Sequence, residues 1–224
     1  MGKAFADMLP YTLGLLVSPF PVVAVIALLI SADGRAKALL FEATWLIVSW
    51  VVLLALITLL GAVGATGHAP PVWVSWLALL IGVLLILTAC AGVRRAARRR
   101  EGKEPEVPRW IASMDTMTRT KVIAVAAMLI VANPVNLASL VGGAIAAGQA
   151  PLPFGRYVIL AAVFVVIGSL GVLAPYATAL TAGGQQRLQW MRGWLIRHNG
   201  AITLLLILVF GLLFLAKGLR GLLA

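Results

Sequence analysis

A chain of 224 residues that is 62% hydrophobic and only 11% charged, with a mean hydropathy of +1.05, lies far outside the range of soluble domains. A formal net charge of +11 would suggest nucleic acid as the partner of a soluble protein, but here the basic residues sort by loop, and nucleic acid is excluded. A bilayer is the solvent of this chain, and little of it is left for a soluble domain.

Its apolar stretches predict six membrane-spanning helices at 9–30, 39–60, 72–93, 122–146, 157–180 and 201–219, each long enough for a hydrocarbon core of ~30 Å. None alternates in the manner of a β-barrel strand, so helices are the spanning element. The first span has only Lys3 as a basic flank and outruns a signal-peptide core without an Ala-x-Ala site, so it reads as retained. It carries Ser18-Pro19-Phe20-Pro21 near its middle, and Gly14 with Ser18 is a small-xxx-small pair. Asp33 and Arg35 occupy the turn that follows, and Glu42 lies in the first turns of the second span. An acid at that depth either couples transport to proton movement or reaches back to the interface and pairs with Arg35 or Lys37.

After the third span comes the one substantial polar stretch, 94–119, where Arg94, Arg95, Arg98, Arg99 and Arg100 precede Glu101, Glu104 and Glu106. It reads as a cytoplasmic linker that sets topology or holds anionic headgroups. The fourth span carries Asn133-Pro134-Val135-Asn136 near its middle, with small pairs Gly142/Ala146 and Gly143/Ala147 further on. Arg187, Arg192 and Arg197 separate the fifth span from the sixth. Fourteen of the eighteen Lys and Arg residues therefore fall on one side of the membrane. The positive-inside rule makes that side cytoplasmic and places both termini outside.

Pro19 and Pro134 are 115 residues apart, close to half the chain. The same offset carries the second span onto the fifth, so the chain divides into a three-helix repeat over 1–93, the linker over 94–119 and a second three-helix repeat over 120–224. With three helices per half, the second half enters from the opposite side. The fold class is thus all-α integral membrane, six helices in two inverted repeats, an organisation that places substrate sites at broken helices near the midplane. Pro134 cannot donate to the carbonyl of Ile130, and Pro19 and Pro21 leave carbonyls unpaired in the first helix. In hydrocarbon each such group needs a partner, and Ser18, Asn133 and Asn136 are the nearby candidates. The site predicted from these breaks is Ser18, Pro19, Pro21, Asn133, Pro134 and Asn136.

No catalytic or cofactor constellation is visible. Cys90 is the sole cysteine, His68 and His198 are isolated, and neither a Ser-His-acid set, a zinc motif nor a Walker loop occurs. The expectation is a protein that is not an enzyme, with no cofactor and no metal.

Ser18-Pro19-Phe20-Pro21 with its apolar run to Ser31, the Arg35 turn leading to Trp45, and Asp115-Thr116-Met117 before Ala132-Asn133-Pro134-Val135-Asn136-Leu137 together resemble the GAP or Sap family. These are the glycopeptidolipid- or sulfolipid-addressing proteins of the LysE superfamily. Val135 stands where that family carries lysine, and Glu42 where an uncharged residue is usual. The resemblance covers nearly the whole chain and implies an actinobacterial plasma-membrane protein that takes part in moving envelope glycolipids outward. It also adds Asp115 to Asp33, Arg35 and Glu42 as candidates for a gate or for proton coupling. Membrane lipids, a larger envelope-lipid export complex and a second copy of the chain are the partners that fit. Two other readings stand beside lipid export by alternating access: a non-transporting accessory subunit of such a complex, and an exporter of amino acids or ions.

Overall fold

The computed structural model describes residues 1–31, 33–64, 72–98, 114–150 and 152–223, with side chains at 61–64 and 115 left aside. Helix α1 (Gly2–Val17) runs into α2 (Pro19–Ile30) through a 43° bend, followed by α3 (Gly34–Gly64) and α4 (Val72–Arg98). A short 3-10 turn, Met114–Thr116, leads to α5 (Arg119–Val131), bent by 62° into α6 (Pro134–Gly148), then α7 (Phe154–Ala179) and α8 (Gly184–Leu223). No strand occurs among the described residues. Four helices are long and apolar enough to cross a membrane, and six crossings result when each bent pair is one span. The sequence of one bent pair and two long helices thus occurs twice.

Two boundaries differ from the hydropathy reading. Helix α4 continues past 93 to Arg98, into the segment assigned to the linker, and 99–113 lies outside the described residues. Helix α8 begins at Gly184 rather than 201 and has 40 residues, about 60 Å at 1.5 Å per residue. Hydropathy misses its first turns because they carry Arg187, Arg192 and Arg197, but no proline interrupts the helix there. Leu188 is buried while Trp190 and Trp194 are exposed, the pattern of a helix lying at a membrane interface.

The half-helices after the breaks form the centre of the bundle. Every residue of α2 from Val22 to Leu29 is buried, as are Gly142–Ala147 of α6. Large apolar side chains such as Ile47, Leu59, Leu80, Val166 and Leu205 point outward instead, which a lipid solvent permits. Helix α6 packs mainly on α1 and α3, while α2 lies against α8, α3 and α7. Helix α4 packs on α8 and makes no comparable contact elsewhere. Small residues permit these approaches: Gly142 sits under the Tyr11 ring, and a Cβ on Gly171 of α7 would overlap the carbonyl oxygen of Leu16.

Helices α3 and α7 are tied along their length. Trp50 Nε1 donates to the Val158 carbonyl at 3.2 Å, Trp45 Nε1 to Ser169 Oγ at 3.1 Å, and Tyr176 OH to the Arg35 carbonyl at 2.6 Å. Buried at Trp45 and exposed at Tyr176, these bonds fix the register of the pair.

Candidate functional site

Each break follows from its proline. Contact with the ring disfavours helical geometry for the residue before a proline, and Ser18 (φ −58°, ψ 116°) and Asn133 (φ −83°, ψ 117°) both leave it, whereas Pro10 and Pro175 lie inside α1 and α7 without a break. The proline then opens the next half-helix, where its missing N–H is no loss. Ser18 and Asn133 are therefore N-caps of α2 and α6.

The fold brings these two caps into contact. Asn133 Nδ2 donates to Ser18 Oγ at 3.3 Å across 115 residues of sequence, while Asn133 Oδ1 accepts the Val135 N–H at 2.9 Å. Both side chains are buried, Ser18 completely and Asn133 to 9% exposure. Two helix N-termini, each carrying partial positive charge, thus converge at one buried junction.

One turn into α6, Asn136 Nδ2 donates to the Leu129 carbonyl at 2.9 Å. The sequence pointed to the carbonyl of Ile130; the structure pairs Asn136 instead with Leu129, whose carbonyl lies in the last turn of α5, where helical N–H donors run out. Asn136 is fully buried and its Oδ1 has no hydrogen-bond partner. A buried acceptor left unpaired costs about 1–3 kcal/mol, so Asn136 holds a reserve of binding capacity. A further turn on, Ser139 Oγ donates to the Tyr11 carbonyl and joins α6 to α1.

Pro19 and Pro21 are buried against the bundle, whereas Pro134 is exposed on its outer face. Asp33 and Arg35 are exposed and line a hollow of about 510 Å³ at the end of the bundle where α3, α5 and α8 begin, with Lys37 and Arg119 beside them. The Asp115 side chain lies outside the described residues. Glu42 is 6% exposed, its Oε1 has no hydrogen-bond partner, and along α3 it lies between the residues tied to Tyr176 and to Ser169. Ser49 Oγ, two turns further along the same face of α3, is likewise buried and unpartnered. The structure therefore joins Ser18 to Asn133 with Asn136 one turn away, and leaves Asp33 and Arg35 at the surface.

Ser139 and Ser49 were not singled out in the sequence, although each continues a helical spacing already in view: 133, 136, 139 on α6 and 42, 49 on α3. Among the described residues no group of three His, Cys, Asp or Glu could hold a metal.

No curated protein and no solved structure matches this chain. A family model, described as Sap, sulfolipid-1-addressing protein, matches residues 8–220. That match takes in both breaks, every long helix and the junction between them, and by it the chain belongs to the sulfolipid-1-addressing protein family.

Proposed function

We propose that this membrane protein is an exporter of LysE-superfamily type that moves an envelope lipid or glycolipid across the plasma membrane by alternating access. Its two halves have inverted topology, with both termini outside. The observation that carries the reading is the contact of Asn133 with Ser18, at which the two proline-started half-helices meet N-cap to N-cap. In inverted-repeat transporters, half-helix ends of this kind form the substrate site.

The chemistry of the junction suits a polyhydroxylated neutral group. Ser18 both donates and accepts, Asn136 Oδ1 is a free acceptor, and no charged side chain is bonded there. Because Asn136 is 0% exposed, cargo enters only when the halves part, and the weak neutral bond between the caps is the contact that must open. Glu42 is the one buried acid among the described side chains, and we assign it the coupling to proton movement. Asp33 and Arg35 serve as the cytoplasmic gate.

The test is reconstitution of the purified chain in liposomes, with translocation of fluorescent glycolipid and of labelled amino acids measured for the wild type, Asn133→Ala and Asn136→Ala. Glycolipid movement above that of empty vesicles, lost in Asn136→Ala, supports the reading. Faster movement of amino acids than of lipid would make it an amino-acid exporter. Rates equal to empty vesicles for every cargo would sink transport and leave an accessory role in a larger complex. Glu42→Gln should leave movement indifferent to an imposed proton gradient that drives the wild type; an unchanged response would remove Glu42 from the coupling.

A further inference from the structure

A cavity of about 840 Å³ lies at the end of the bundle that holds the start of α1 and the end of α8. Three cations line it, Lys3, Lys217 and Arg220, against one acid, Asp7. Lys217 and Arg220 are three apart on α8 and share a face. Lys217 is half-buried and its Nζ lies 5.9 Å from the centroid of the Tyr11 ring, so an aromatic face holds the charge over the cavity.

The remaining wall comes from α1, α4 and the end of α6, where Ala, Val, Ile and Pro side chains predominate beside Ser75 and Gln149. Because α4 is fastened to α8 and not comparably to α1 or α6, the wall between α1 and α4 is an unfastened seam. Tyr11 links this lining to the junction, since its carbonyl is bonded by Ser139, one turn from Asn136.

We infer that this vestibule binds the anionic headgroup, phosphate or sulfate, of an amphiphile whose chains leave through the seam between α1 and α4. An excess of two positive charges selects an anion, and the partial burial of Lys217 makes its charge count for more than those of the exposed Lys3 and Arg220. The apolar wall and side opening select an anion with hydrocarbon attached over a free one. The inference rests on the lipid-export reading only for its physiological cargo, because binding is measurable without transport.

The experiment titrates the full chain, fluorescently labelled in neutral detergent, with dioctanoyl phosphatidic acid, octyl sulfate, dioctanoyl phosphatidylcholine, inorganic phosphate and inorganic sulfate. The two anionic amphiphiles should bind at least about tenfold more tightly than the zwitterion and the free ions. Lys217→Gln and Arg220→Gln should each weaken binding by about fivefold, Lys217→Arg should retain it, and Arg187→Gln, at the opposite end of α8, should change nothing. Rising salt should weaken wild-type binding, which gives a test free of any folding defect in the variants. Equal affinity for anion and zwitterion, or wild-type affinity in the Lys217→Gln/Arg220→Gln double variant, would overturn the assignment. Equal affinity for the inorganic ions would overturn the amphiphile and leave a free-anion site. Anionic amphiphile binding in a protein that moves no lipid in liposomes would reject export and keep the vestibule.

Discussion

The two helix breaks arise from one device, an extended residue before a proline, yet they are not equally self-sufficient. At the second break Asn133 caps its own half-helix through Oδ1, reaches Ser18 through Nδ2, and is followed by Asn136, which satisfies the Leu129 carbonyl. At the first break Ser18 makes no side-chain cap of its own, and its hydroxyl accepts from Asn133. The sharper bend, 62° against 43°, is thus the better satisfied one. An amide has enough donors and acceptors to serve both its helix and a neighbour, and a hydroxyl at this site is used once. The first break is held in place from outside, by α6 and by Gly171 of α7 against Leu16.

That external brace supplies the largest expected effect. In Gly171→Ala the new methyl overlaps a backbone oxygen of α1 two residues before the break, which a rotamer change cannot relieve. A loss of about 3 kcal/mol is expected, read as the largest fall in thermal midpoint of the variants named here. Gly155→Ala on the same helix meets open space and should be silent. Equal midpoints for the two would show that α7 does not brace the first break.

Asn133→Ala ranks next. It removes an N-cap worth about 1 kcal/mol and leaves Ser18 and the Val135 N–H without their buried partner, for a total near 2 kcal/mol. Thermal unfolding in detergent measures it. The asymmetry of the breaks requires the loss to exceed that of Ser18→Ala.

How much of this was legible beforehand depends on which residue is asked. The positions of the breaks were in part, because proline geometry is local and marks where a helix can break, although Pro10 and Pro175 lie inside α1 and α7 without one. The 115-residue offset first seen between Pro19 and Pro134 also separates Ser18 from Asn133, which are in contact. The start of α8 at Gly184 was not legible from hydropathy, since its first turns carry Arg187, Arg192 and Arg197. The Leu129 partner of Asn136 was missed because proline marks only the carbonyl four residues before it, whereas the end of α5 at Val131 also leaves Leu129 without a helical donor. Nor does any local pattern announce the vestibule: Lys217 and Tyr11 lie at opposite ends of the chain, and only packing brings them together.

Asn136→Ala should cost less in stability than Asn133→Ala, about 1 kcal/mol. The Leu129 carbonyl loses its donor, but the unpaired Oδ1 disappears with it, and the two contributions oppose each other. A modest shift in midpoint together with complete loss of glycolipid movement would separate a substrate contact from a structural one. A large fall in midpoint would mean that Asn136 chiefly holds the second break together.

Ser18→Ala is the smallest and most discriminating change. The substitution leaves the cap of α6 intact, because Asn133 Oδ1 still accepts from Val135, and withdraws only the acceptor for Nδ2. One net hydrogen bond is worth about 1 kcal/mol, and a methyl fits where a hydroxymethyl stood. Combined with Asn133→Ala, it should add almost nothing, since the bond it removes is already gone, and the cycle should give a coupling of about 1 kcal/mol. Full additivity would mean that the caps touch without interacting. A Ser18→Ala loss larger than that of Asn133→Ala would reverse the comparison, placing at the first break the stabilising role argued here for the second.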